Sequence, residues 1–476
     1  MSLSPRMMPI MHKRLLALIV GLGTATIACK DSPSVTDLNN VSAEALSSGL
    51  TRASTQLLVT GLLDRTRADV GANYIIFTET MARDFYRIDP AENRFITELV
   101  GANPADFSSF TGAGVFSQFY TTIRSAHTIL NSLPSARGLA VGEIAATRGL
   151  AQTFKALAFY RALEARDSLG IPIDVNRPID ADPAPYVCKP NALDYISALL
   201  DSAATDLSTA GATIPIVLPP GFTSNGDFST PGALLQFNRG LKGKVELYRG
   251  LDHQKPDASH FSASVAAINA SFASQVASVD RGIYNVYSTA SNETTNPIAD
   301  ANIFLNPFVG DSIQTGDLRA SKIVAVTPKT LFGVTGKYKT SLTDPANLTH
   351  SIAILKNSEL LLLRAQANIE LGNLAAAYAD INAVRTMDGG LAPLAASTKQ
   401  AAIYAVLYEK RYSLLAESAE RLVDLRAYGL LKAGVTSPNG VAGGPGGTGD
   451  IFQTVLPIPK PELDARKATS LAPSCS

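Results

Sequence analysis

The chain has 476 residues, 41 Lys and Arg against 41 Asp and Glu, 46% hydrophobic residues and no tryptophan. A formal net charge of zero leaves no electrostatic footprint for nucleic acid or for an anionic membrane surface. The length suggests about three domain-sized units, although a helical chain of this size can be continuous, and recurrent helical periodicity makes a mainly α fold the expectation.

The N-terminus carries the most specific local signal. Lys13 and Arg14 precede an apolar run over residues 15–20, followed by small residues as far as Cys29. That is the layout of a signal peptide, and the run is too short to span a bilayer stably. Thr26-Ile27-Ala28-Cys29 resembles a bacterial lipobox, whose cysteine is lipidated and becomes the mature N-terminus. The expectation is a signal over residues 1–28, a polar tether over 29–42 and a folded region over 43–476. An ordinary secretory signal with a chance cysteine is the alternative. Lys30 in place of aspartate favours the outer membrane under the enterobacterial sorting rule. Cys188 and Cys475 remain; in an oxidising compartment they could pair, or they could be two buried thiols.

In chain order, apolar residues recur at helical spacing over 43–67 and 72–84. Residues 85–113 lose that periodicity and predict a long structured loop, more often functional than accidental at this length. Helices are predicted over 115–132, 141–169, ending at Gly170, and 192–207, with a Pro-rich connection between the last two. Pro231 opens a helix over 232–248, and 261–279 follows as its partner. Residues 288–350 turn polar, with short β-leaning pieces around 322–326, and predict an insert of small strands and loops.

The C-terminal region, 352–476, holds the densest pattern. Residues 358–372 form an apolar helix ending at Gly372, a position suited to positive φ, and Asn373 can cap the helix that follows. Ala365 and Ala377 match the small positions of tetratricopeptide helix pairs. A third helix over 401–427 carries the charged residues from Glu409 to Arg426. Residues 434–450 form a glycine-laden loop without the Lys-Ser/Thr ending of a phosphate-binding loop.

Chemistry-bearing motifs are scarce. The five histidines show no one-turn pairing for a metal, and no Gly-x-Ser-x-Gly elbow is present. Carboxylates could supply a glycosidase pair, but sequence cannot place two across a cleft. No enzyme, cofactor or metal is expected. Glu417 and Arg421 lie one helical turn apart and can bond; Glu420 and Asp424 share that spacing and need a separating cation or water. Glu359, Glu417, Arg421 and Asp424 are therefore expected as structural ion pairs bracing helix packing.

Eight segments in order resemble the SusD/RagB family of outer-membrane lipoproteins. They begin with Phe116 to Leu133 and with Lys155-Ala-Leu-Ala-Phe-Tyr-Arg161 running to Leu169-Gly-Ile-Pro172. The helix over 192–207, Gly240 to Tyr248 and the Asp317-Leu-Arg319 turn follow. Lys337-Tyr338 with Ile354 to Arg385, Tyr408 to Arg426, and Leu456-Pro-Ile-Pro459 complete the series. Departures include Glu417-Ser-Ala-Glu-Arg421, Lys356 in place of arginine, and the absence of tryptophan, which weakens sugar stacking.

The resemblance implies a SusD-like α-helical fold with tetratricopeptide-like helix pairs, irregular loops and a few short strands. It also implies capture of a glycan or peptide for a SusC-like TonB-dependent transporter, with a lipid anchor at the outer membrane. Ligand contacts are expected in or beside the aperiodic loop, at Arg83, Asp84, Tyr86, Arg94 and Phe110. A tetratricopeptide scaffold that assembles proteins in the periplasm is the rival class, and a carbohydrate hydrolase is a more remote one.

Overall fold

A computed structural model describes residues 49–431 and 452–468, apart from residues 102, 109–110, 112–114 and 179. Cys29, the tether, Phe110, the glycine-laden loop and Cys475 lie outside the described residues.

Helix α1 (Arg52–Asp69) starts where Thr51 and Ser54 bond reciprocally, a capping box that satisfies two free amides. After α2 (Ala72–Met81) the chain enters strand β1 (Phe85–Arg87), then turns helically through residues 94–101. Helix α3 (Ser117–Ser132) packs on α4 (Val141–Arg166), which packs in turn on α5 (Lys189–Ser208). Between α4 and α5, strand β2 (Ile171–Pro172) pairs with β3 (Tyr186–Val187). Gly170 makes that pairing possible: its φ is +65°, and a Cβ there would overlap the Val187 carbonyl.

Thr230 caps α6 (Pro231–Gly250), whose neighbours are α5 and α7 (Ser259–Asn269). The predicted helix over 261–279 stops at Asn269. Residues 274–278 instead wrap the side chain of buried Asn357, which accepts from the Ser274 amide and donates to the Ser274, Ala277 and Ser278 carbonyls. Four hydrogen bonds to one buried amide outcompete the remaining helical turns.

Strands β4 (Gly282–Asn285), β5 (Ile303–Leu305), β6 (Ile323–Leu331) and β7 (Val334–Thr340) precede β8 (Ile352–Lys356). β4 and β8 pair antiparallel, and β1, β5, β7 and β6 form a four-stranded antiparallel sheet in that order. The β6–β7 hairpin turns through Phe332 and Gly333, both at positive φ, the conformation whose twist matches a two-residue hairpin. Residues 85–113 are therefore not simply a loop: β1 joins the sheet of the insert, and Tyr86, Ile88, Ile96, Val100, Phe304 and Val334 bury a small core beneath it.

The C-terminal helices follow: α8 (Asn357–Glu370), α9 (Leu374–Met387), α10 (Lys399–Ser413) and α11 (Glu420–Ala427), then α12 (Lys460–Ala465). Gly372 has φ +78°, and Ala365 and Ala377 are fully buried where α8 meets α9, as the pattern requires. Asn373 occupies the cap position but makes no capping bond with its side chain. The predicted helix over 401–427 is two helices, broken at residues 414–419 where Ala416 has φ +64°. No helix among the described residues is long and apolar enough to cross a membrane.

Candidate ligand-binding site

The four described residues singled out beside the aperiodic loop do not form one surface. Arg83 and Asp84 are 1% exposed and Tyr86 5%, so all three face the interior. Arg411 donates to Asp84 at 2.6 Å, and the Arg83 guanidinium lies 4.5 Å from the centre of the Phe452 ring. Tyr86 accepts from Asn306 at 3.0 Å. Of the five, Arg94 is the one shown to reach solvent, bound to Glu92 at 2.5 Å.

The charged residues of the C-terminal helices pair with partners from distant segments. Lys244 of α6 lies 2.6 Å from Glu420, 3.1 Å from Glu359 and 3.8 Å from Glu164. Lys410 lies 2.5 Å from Glu420 and 2.7 Å from Asp424, so a lysine supplies the separation that this carboxylate pair needs. Glu417 pairs with Lys356 at 2.5 Å rather than with Arg421, which faces Asp84 at 3.6 Å. The helix break at residues 414–419 removes the one-turn geometry on which a Glu417–Arg421 bond depended.

Within this network four carboxylates share two lysines, and electrostatics spread their proton affinities. Burial pushes Glu359 up to about 7 and Glu164 upward, against the pull of Lys244. Against burial, Lys244 and Lys410 hold Glu420 down at about 2. The void among Asp84, Lys410, Arg411, Glu420 and Asp424 is about 10 Å³, room for one water at most. This is a brace, and no substrate fits it.

A similar pair anchors the insert. Asp317 receives two bonds from Arg319, at 2.9 and 2.7 Å, while Arg319 reaches Glu409 of α10 at 2.7 Å. The Asp317-Leu-Arg319 turn thereby fastens the insert to the C-terminal helices.

Open space lies elsewhere. One cleft of about 720 Å³ runs between α3, the Pro-rich connection and α12. Phe116 and Tyr120 stand on its α3 side with ring centres 4.7 Å apart, and Tyr186 stacks on Phe116 at 6.3 Å and 10°. The Tyr120 hydroxyl donates to the Pro172 carbonyl at 2.6 Å, which fixes the ring. A second hollow of about 530 Å³ continues past Arg124, Thr128, Arg177 and Pro178, which line both. A third cleft of about 760 Å³ is more apolar, with Leu63, Phe154, Phe222, Tyr287 and Ile354 in its wall and Arg67, Asp64 and Glu293 paired at its rim. Volumes of several hundred cubic ångströms suit a bound oligomer segment.

The sequence matches no protein-family model and no curated protein. Solved structures do match. A SusD superfamily protein from Bacteroides fragilis NCTC 9343 superposes with a TM-score of 0.65 at 12% identity, over 89% of this chain and 99% of its own. One from Parabacteroides distasonis ATCC 8503 gives 0.64 at 13%, over 86% and 97%. A SusD homolog from Bacteroides thetaiotaomicron VPI-5482 gives 0.62 at 16%, over 91% and 99%. The chain has the SusD-type fold.

Open space thus lies in two regions, one where α1 and α4 meet the insert and one where α3 meets the Pro-rich connection. The sequence carried a signal for that second region. Arg124, His127, Thr128 and Asn131 recur at spacings of three and four, a polar face opposite the apolar one on α3.

Proposed function

We propose that the chain is a SusD/RagB-family lipoprotein that captures an oligomeric nutrient, a glycan or a peptide, and passes it to a SusC-like TonB-dependent transporter. The observation that carries this reading is the SusD-type fold across about nine-tenths of the chain. The provisional name of one solved structure on this fold, from Bacteroides vulgatus ATCC 8482, is sugar binding protein; that match gives a TM-score of 0.62 at 14% identity. Lipid on Cys29, following a signal over 1–28, would hold residues 43–476 at the outer membrane, and a multiply acylated cysteine holds firmly where a single chain does not.

The aromatic cleft at Phe116 and Tyr120 is the proposed capture surface, with Arg94 a second point of contact. No bond-making step is assigned, and no cofactor is invoked. A glycan and peptide binding screen tests the reading, with Tyr120→Ala and Arg94→Ala separating the two loci. Binding of at least one oligomer class, weakened by one of these changes, is the expected result. Failure of every oligomer to bind would favour the periplasmic scaffold reading, for which the paired helices would suffice.

A further inference from the structure

Among the buried lysines of the described residues, Lys155 lacks the partner that the others have. Lys244 and Lys410 lie against carboxylates, Lys356 lies 2.5 Å from Glu417, and Lys322 donates to the Tyr412 carbonyl at 2.9 Å. Lys155 of α4 is only 6% exposed, yet it makes no ion pair or hydrogen bond among the described residues. Burial pushes Lys155 down to about 8, and the neighbouring Arg124 guanidinium adds to that push. No carboxylate offsets either effect.

The surroundings are cationic too. Arg124 and His127 of α3 line the 530 Å³ hollow together with Arg177, and Lys155 lies outside that lining. No carboxylate lines it among the described residues. Asp174 approaches Arg177 only at 3.4 Å, and the buried Arg177 Nε has no partner. Burial, Lys155 and Arg124 hold His127 below its ordinary range, so at neutral pH it is an uncharged donor or acceptor, 2.9 Å from Asn131. Planar guanidinium groups suit carboxylate and sulfate oxygens in particular.

We infer that this hollow binds an oxyanion carried by the captured ligand, the uronate carboxylate or sulfate ester of an acidic oligosaccharide, with Arg124 and Arg177 as its counter-charges. The inference rests on the nutrient-capture reading and narrows its ligand class. The hollow opens into the aromatic cleft, so one chain of sugars could lie on Tyr120 while an acidic group enters the cationic end.

The test is calorimetric titration of the detergent-solubilised full chain with trigalacturonate, a sulfated disaccharide, neutral maltotriose and inorganic sulfate. At least one acidic saccharide should bind at least about tenfold tighter than maltotriose, and added salt should weaken it. Arg177→Gln and Arg124→Gln should each weaken that binding at least about fivefold, while Lys399→Gln, on remote α10, should not. Arg124 is exposed, so its variant reports on binding rather than on folding. Equal binding of acidic and neutral saccharides, indifference to both changes, or refusal of both acidic saccharides overturns the inference. Inorganic sulfate binding as tightly as the saccharides overturns the saccharide assignment. If acidic saccharides are refused while another oligomer binds and needs Tyr120, the anion site falls and nutrient capture stands.

Discussion

Arg411 Nη2 donates to Asp84 Oδ1 at 2.6 Å, a bond between residues 327 positions apart that joins the segment after α2 to α10. Both groups are buried, and Arg421 faces the same carboxylate from α11 at 3.6 Å. Removing one member of a buried ion pair leaves a desolvated charge and typically costs about 3–5 kcal/mol. Asp84→Ala should therefore lower stability by about that amount, measured by denaturant unfolding. A change below about 1 kcal/mol would show that the pair braces nothing.

The same logic separates Lys410 from surface lysines. Lys410→Met leaves Glu420 and Asp424 without the cation that separates them and should cost about 3–5 kcal/mol. Lys399, whose side chain is 54% exposed in its pair with Glu370, should lose less than about 1 kcal/mol on mutation to Ala. Thermal melts of the two variants side by side make the comparison.

Stability should depend on pH with a defined sign. Burial raises Glu359 and Asp69 to about 7, whereas unfolded carboxylates titrate near about 4. Between about pH 4.5 and 7 the folded protein retains protons that the unfolded chain has released, so this contribution is lost as pH rises through that window. Glu420 acts oppositely: held at about 2, its contribution is lost as pH falls below about 4.5. Glu359→Gln should therefore show a smaller fall in melting temperature between about pH 5 and 7.5 than the parent protein. Equal falls would rule out Glu359 as a source of the dependence.

Much of the helical scaffold was legible because its signals are local. Pro231 opens a helix, Gly372 ends one, and Ala365 and Ala377 sit where two helices touch. The sheet was not legible, because β1 pairs with β5 more than two hundred residues away through three-residue strands. Ion-pair members could be picked out along α10 and α11, yet their partners Lys244 and Lys356 come from segments that no helical spacing connects to them. The clefts were missed for a related reason: each lies between elements distant in sequence, and no single stretch records the gap.

Cys188 is disulfide-bonded. We propose Cys475 as its partner. Peptide mapping of the oxidised protein under non-reducing conditions should recover a Cys188–Cys475 peptide, and Cys188→Ser should cost about 2–4 kcal/mol. A free thiol at both positions would contradict the pairing.

Nutrient capture for an outer-membrane transporter requires the folded region to face the outside of the cell. Protease treatment of intact cells expressing the full chain measures this directly. Digestion of the folded region in intact cells, with a periplasmic marker untouched, is the predicted result. Protection until the outer membrane is broken would contradict surface capture and point instead to a periplasmic scaffold.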